Sequence, residues 1–203
     1  MKNLIPFLLL ILFSCTQENN EPLPILGERE VVNGDTIYHQ IPEYSYINQD
    51  SIIVTHDSLK DFIYLSDFFF TSCPSICPVV KKQMLRLYDK YKDNDKIRLV
   101  SHTIDPKRDT PEKLKKYARD LKVDDRKWMF LTGDKEELLD MADEYFVTAY
   151  EDPDAPGGFD HSGLILLVDT NRHIRAFAQG TDPEDVTELF GDIEKLLDEY
   201  KVD

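Results

Sequence analysis

Cysteine is scarce in this chain: three occur among 203 residues, against the four, six or eight that a small disulfide-stapled scaffold uses. That class is excluded, and each cysteine has to be read from its own surroundings. Positive charge is also in short supply, with 24 Lys+Arg facing 39 Asp+Glu and a formal net charge of -15. Such a surface repels phosphate backbones, so nucleic acid is not an expected partner. Long apolar runs are missing: Leu4 to Phe13 is about half of the roughly 20 residues that a membrane-spanning helix needs. No period of about 20 to 50 residues recurs, which excludes a repeat array. What the chain does have is 41% hydrophobic and 31% charged residues, enough apolar material for one cored domain and too much for wholesale disorder.

The short apolar run sits in MKNLIPFLLLILFS, behind Lys2 and ahead of Cys15. A charged start, an apolar middle and a small residue at the end make a secretory signal. LFSC resembles the bacterial lipobox, in which the cysteine is lipidated and becomes the first residue of the mature chain; a soluble secreted form that loses Cys15 is the plain alternative. Residues 1–14 are therefore expected to be a lipoprotein signal peptide, and 15–27 a lipidated Cys15 followed by a flexible tether. TQENNEPLPILG, with its polar residues, two prolines and closing glycine, suits a tether. Residues 28–203 are expected to form a single domain.

Within that domain strands and helices alternate. Asn33-Gly34 supplies the positive φ angles of a tight turn between Val31-Val32 and Thr36–His39, which predicts a hairpin. Ser51–Thr55 reads as extended. FIYLSDFFF (62–70) is apolar or aromatic at nearly every position, the pattern of a central strand buried on both faces. Val80, Met84, Leu87, Tyr88 and Tyr91 fall on one face of a helix over 78–91. Ile97–Ile104 is a strand, and Thr110-Pro111 opens a helix as N-cap and first helical residue. Further on, 128–131 reads as a strand, 135–145 as a helix, 164–169 and 174–179 as a strand pair, and 183–200 as a closing helix. EDPDAPGGFD (151–160) is a loop leading into His161. The order implies an α/β sandwich around a mixed sheet.

Cys73 and Cys77 lie in TSCPSICPVV, where the buried strand hands over to a helix. Backbone N–H groups and the positive helix end favour an anion there, so a thiol at this junction is expected to ionise more readily than a free one. Side chains four apart on a helix lie within about 5–6 Å, close enough for a disulfide or for joint coordination of a metal ion. Two inert buried thiols or a stabilising disulfide are the bland alternatives, although a bridge closing so short a loop gains little chain entropy. Of the five histidines, His39, His56 and His173 are expected at the surface. His102 ends a strand that runs beside the cysteine-bearing one and is a potential competing ligand. His161, between an acidic loop and the apolar strand LILLV, is the strongest candidate for a third ligand, with Asp160 placed to hydrogen-bond the ring or a neighbour.

The strings FFFTSCPSICP, IDPKRDTPEKLKKYA, WMFLTG and DHSGLILLVDTNRHI stand in the order they have in the Sco/SenC family of thioredoxin-fold copper proteins, and the chain resembles that family over about residues 60–200. The resemblance implies an α/β thioredoxin-like sandwich, a central mixed sheet flanked by helices, here with an N-terminal β-hairpin extension. It matches Cys73 and Cys77 to the two thiolate ligands and His161 to the imidazole ligand of one copper ion per chain. Asp105, Pro106, Arg108, Asp109, Thr110 and Pro111 match the DPxRDTP stretch, which is expected to shape the loop near the site. Two thiolates suit Cu(I), and an added imidazole suits Cu(II) as well; zinc would accept the same donors, so the resemblance selects copper. Two departures stand out: a long, proline-rich interval from Val147 to Asp160, and His102 in place of a small or aliphatic residue.

The implied function is delivery of copper to the binuclear copper centre of cytochrome c oxidase, reduction of that centre's cysteines, or both. The partner would be the copper-centre subunit or another periplasmic thiol protein. The location would be the cell envelope, lipid-anchored and facing the periplasm, with the inner membrane matching such an acceptor. One rival is a thiol-disulfide oxidoreductase using Cys73 and Cys77 without copper delivery. A peroxidase of the peroxiredoxin type needs Thr-x-x-Cys, and Thr71 stands only two residues before Cys73. A redox or copper sensor is the remaining class.

Overall fold

The computed structural model describes residues 21–201; the expected signal peptide and Cys15 lie outside them. The first two strands, β1 (Arg29–Val32) and β2 (Asp35–Tyr38), pair only with each other. Asn33 at φ 56° and Gly34 at φ 93° make their turn, as the sequence predicts. Next come β3 (Ser45–Asn48) and β4 (Ile53–Thr55), then β5 (Ile63–Phe69), α1 (Cys77–Tyr91), β6 (Ile97–Thr103), α2 (Pro111–Leu121), β7 (Trp128–Thr132) and α3 (Lys135–Glu144). The chain closes with β8 (Ala149–Glu151), β9 (Phe159–His161), β10 (Leu164–Val168), β11 (Ile174–Gln179) and α4 (Pro183–Glu199).

Seven strands form one mixed sheet in the order β11-β10-β5-β6-β7-β3-β4. The parallel trio β5, β6 and β7 is joined by crossovers through α1 and α2, and antiparallel strands extend it on both sides. All seven residues of β5 are buried, Ser66 and Asp67 among them, as its largely apolar pattern predicts. The buried face of α1 holds Val80, Met84, Leu87, Tyr88 and Tyr91, the five positions picked out by helical spacing. Thr110 Oγ1 accepts from Lys113 N at the start of α2, and Asp134 and Asp182 cap α3 and α4 in the same way.

Four expectations need correction. Strand β3 has no counterpart in the sequence reading: SYIN is half polar, and its burial alternates because it is a near-edge strand with one covered face. Residues 151–160 are not all loop. Glu151 pairs with Phe159 and Ala149 with His161, so a two-stranded ladder flanks a shorter tip. Nor does tether run through to Gly27. Leu23 is 8% exposed, Leu26 N donates to Ile174 O, and the Arg175 guanidinium donates to the carbonyls of Leu23 and Pro24; an apolar Leu-Pro-Ile-Leu stretch gains more by burial than as solvated chain. His39, His56 and His173 are half-buried rather than superficial, with the His39 Nε2 donating to Glu144 O at 2.8 Å.

Candidate metal centre

At the end of β5 the chain leaves the sheet at Phe70 and turns back on itself, Cys73 N donating to Phe70 O, before α1 begins at Cys77. Pro78 sits in the first turn, where a missing N–H costs nothing. Both cysteines are free thiols and nearly covered, at 8% and 6% exposure. From the other side, β9 inserts His161, 6% exposed, with Phe159 likewise buried and Asp160 outside, the alternation of a strand. Cys73 Sγ, Cys77 Sγ and a ring nitrogen of His161 all lie within 4.8 Å of one another. Cys77 Sγ and His161 Nε2 are 3.2 Å apart. The three residues picked from the sequence therefore meet in space.

The two thiols differ electrostatically. At Cys73, burial pushes the pKa up, but hydrogen bonds from Ser75 and Cys77 outweigh it and the net shift is downward; Cys73 Sγ and Ser75 Oγ are 3.5 Å apart. At Cys77, burial dominates and Cys73 and Asp67 add to it, lifting the thiol far above its ordinary range. Easier ionisation thus holds for Cys73, through its hydrogen bonds, and fails for Cys77, because desolvation exceeds the help of the Phe70 backbone hydrogen bond there. Burial also lowers the His161 pKa, partly offset by Asp160, which favours the neutral imidazole, the form that can ligate a metal. Its Nδ1 is buried without a hydrogen-bond partner among the described residues.

Asp160 does not serve the ring. Its Oδ2 accepts from Tyr150 OH at 3.1 Å on the exposed side of the ladder. His102 does not compete either: wholly buried, it stacks on Phe68, meets Tyr44, Tyr46 and Tyr145 edge-on or tilted, and has its Nδ1 3.3 Å from Ser66 Oγ. Its neighbour Ser101 bonds Asp67 and Trp128 beside Cys77, so alternation along β6 turns His102 to the opposite sheet face.

The loop between β6 and α2 holds the site from below. Asp109, 0% exposed, accepts from Thr71 N at 2.9 Å, from Thr71 Oγ1, and from Thr103 Oγ1 at 2.8 Å, so it fixes the first residue of the cysteine loop. Arg108 pairs with Asp105 and donates through Nη2 to Gly157 O at 2.6 Å, at the tip between β8 and β9. Neither Phe70, which packs on the His161 ring, nor Gly157 carries a local sequence signal; both act through contacts remote along the chain.

The donor set fits a soft or borderline metal ion: two sulfurs and one imidazole nitrogen, nearly buried, and close enough that small rotations put each at about 2.0–2.3 Å from a common centre. Comparison with known proteins agrees with this geometry. The SCO1/SenC family model matches residues 35–198. The SCO1 protein homolog of Bacillus subtilis is 29% identical over 161 residues, covering 78% of this chain and 83% of that protein. A structure of Arabidopsis thaliana ScoI with copper bound aligns with a TM-score of 0.66 at 28% identity, covering 78% of this chain and 98% of that one. BsSco, described as a member of the Sco family of cytochrome c oxidase assembly proteins, aligns with a TM-score of 0.68 at 28% identity over 78% of this chain and 93% of its own. The shared architecture is the thioredoxin-like sandwich that the sequence resemblance implies.

Proposed function

The chain belongs to the SCO1/SenC family, and from that premise we propose that it is a copper chaperone holding one copper ion on Cys73, Cys77 and His161. The observation that carries the reading is the convergence of those three donors within 4.8 Å. Two thiolates favour Cu(I), and the neutral imidazole extends the site to Cu(II). The acceptor would be the copper-centre subunit of cytochrome c oxidase, in keeping with the assembly role ascribed to BsSco. Copper stoichiometry and absorption on residues 16–203, beside Cys73→Ala, Cys77→Ala, His161→Ala and His102→Ala, test this. About one copper per chain is expected, with a thiolate-to-Cu(II) band lost in the first three variants and kept in the fourth. A wild-type chain that yields its copper to a modest chelator at once would sink the reading.

The inequality of the thiols supports a second activity at the same residues. A Cys73 thiolate attacks a disulfide of the acceptor, forming a mixed disulfide and releasing one acceptor thiolate. Cys77 then attacks Cys73, leaving a Cys73–Cys77 disulfide here and a second thiol on the acceptor, two electrons having passed. This would prepare the acceptor's cysteines for copper.

The domain division and the lipid anchor belong to the same reading. Among the described residues no helix is long and apolar enough to cross a membrane, and attachment would rest on Cys15. Leu23, seated on the domain, comes eight chain steps after Cys15, which limits the distance between anchor and domain to about 29 Å. Leu23 sits by Arg175 and Asp169, past the Val168 end of β10, whereas Leu164 at the other end leads back to His161. The metal pole would therefore face away from the anchored pole, toward a periplasmic acceptor.

A further inference from the structure

His161 is carried on a ladder that stands apart from the main sheet. β8 and β9 pair only with each other, and Asp152 N donating to Gly158 O closes their tip. The backbone of His161 therefore pairs with Ala149 of the ladder, and the main sheet takes hold only beyond it, where Gln179 Nε2 donates to Ser162 O at 2.7 Å and Gly180 N to Gly163 O at 3.0 Å. An exposed ion pair from Lys135 to Glu151 ties β8 to α3, a contact of little weight in water. At the tip the tie is stronger. Arg108 Nη2 donates to Gly157 O at 2.6 Å, and its guanidinium lies 5.9 Å from the ring centres of both Phe70 and Phe159. Phe70 in turn packs edge-on against His161.

The tip also presses on the cysteine loop. Gly157 has φ +90°, and a Cβ there would stand 2.7 Å from Phe70 and 3.3 Å from Pro74, the residue after Cys73. Arg108 itself is anchored by the buried carboxylate of Asp105. The next residue, Asp109, grips Thr71 at the start of the cysteine loop. Adjacent residues of one loop thus hold the two halves of the site, Asp109 the thiols and Arg108 the imidazole.

Resting on the copper-site reading, we infer that Arg108 is the latch that keeps His161 against the thiols, so that opening it turns a three-donor site into a two-thiolate site. Its side chain is 43% exposed, so the latch is reachable from solvent, where a docking partner would meet it. Arg108 is a positioning residue: it touches no donor atom and acts through the ladder.

The test combines a metal-free readout with metal release. In the metal-free chain, Arg108→Ala is expected to speed amide exchange across 149–161 about tenfold while leaving β5 and α1 unchanged, and Arg108→Lys, with one ammonium for two contacts, to fall between. Gly157→Ala, which pushes on the tip from the other side with Arg108 intact, should loosen the same residues. Release of Cu(I) to a chelator should quicken about tenfold in Arg108→Ala, and adding this change to His161→Ala should quicken it no further. Unchanged exchange over 149–161 in both Arg108→Ala and Gly157→Ala overturns the latch, as does release that accelerates equally with and without His161. If the wild type takes up no copper, the copper-site reading fails by itself, and the exchange measurement alone decides whether Arg108 holds the ladder.

Discussion

Cys73 and Cys77 are four positions apart, and neighbours decide which of them ionises. Cys73 gains hydrogen bonds from Ser75 and Cys77, while Cys77 lies deeper with Asp67 nearby. Asp67 is a buried carboxyl, 4% exposed, that accepts from Ser101 Oγ, which in turn accepts from Trp128 Nε1 at 2.8 Å. Burial pushes it up to about 7, the Ser101 hydrogen bond opposing in part. Since the folded value lies above the unfolded one, the native state binds more protons between about pH 4 and 7, and stability falls as pH rises through that window. Asp67→Asn should remove this slope, so its urea-unfolding free energy relative to wild type rises by about 4 kcal/mol across the window. Parallel curves for the two proteins would show that Asp67 is not a buried titrating group. In the sequence Asp67 is one polar letter in an apolar run; only its partners on β6 and β7 give it a role.

At the scale of elements, most boundaries follow from capping and periodicity, which are local. Thr110 accepts from Lys113 N at 3.4 Å, a long bond, so Thr110→Ala should cost about 0.5–1 kcal/mol. A lower urea midpoint at constant slope is the expected result, and an unchanged midpoint would mean that Pro111 and Glu112 start α2 unaided. The β1–β2 turn, the α1 face and the buried β5 were all legible from spacing. β3 and the β8–β9 ladder were not, because short half-polar strands depend on what pairs with them. The consequence reaches the site: His161 rides on a strand, whose alternation sends Phe159 and His161 inward and Asp160 outward, where a loop would have left its direction open.

Across the whole molecule, the Leu23–Pro24 stretch and the end of α4 are tied at the pole opposite the metal centre. Arg175, 7% exposed, pairs with Asp169 at 3.1 Å and Glu199 at 2.7 Å and donates to the Leu23 and Pro24 carbonyls, while Leu23 N donates to Glu199. Removing the cation strands buried Asp169 and part-buried Glu199, so Arg175→Ala should cost about 3–5 kcal/mol. It should also release the N-terminal stretch: faster exchange of the Leu23 and Leu26 amides is expected, and protection equal to wild type would disprove the tie.

The sequence by itself determined the α/β order of elements, the Thr110 cap and the buried central strand, because each is written in local spacing, and it marked Cys73 and Cys77 as a pair; His161 joined them through the family resemblance. Tertiary structure decided the rest. It turned His102 to the far face, gave Asp160 to Tyr150, seated residues 23–26 on the domain, separated the two thiols in acidity, and brought Arg108 to Gly157 across 49 positions. The physical reason is the same for each: desolvation and hydrogen bonding depend on which groups end up adjacent, and adjacency between residues distant in the chain is set by packing, to which no local pattern refers.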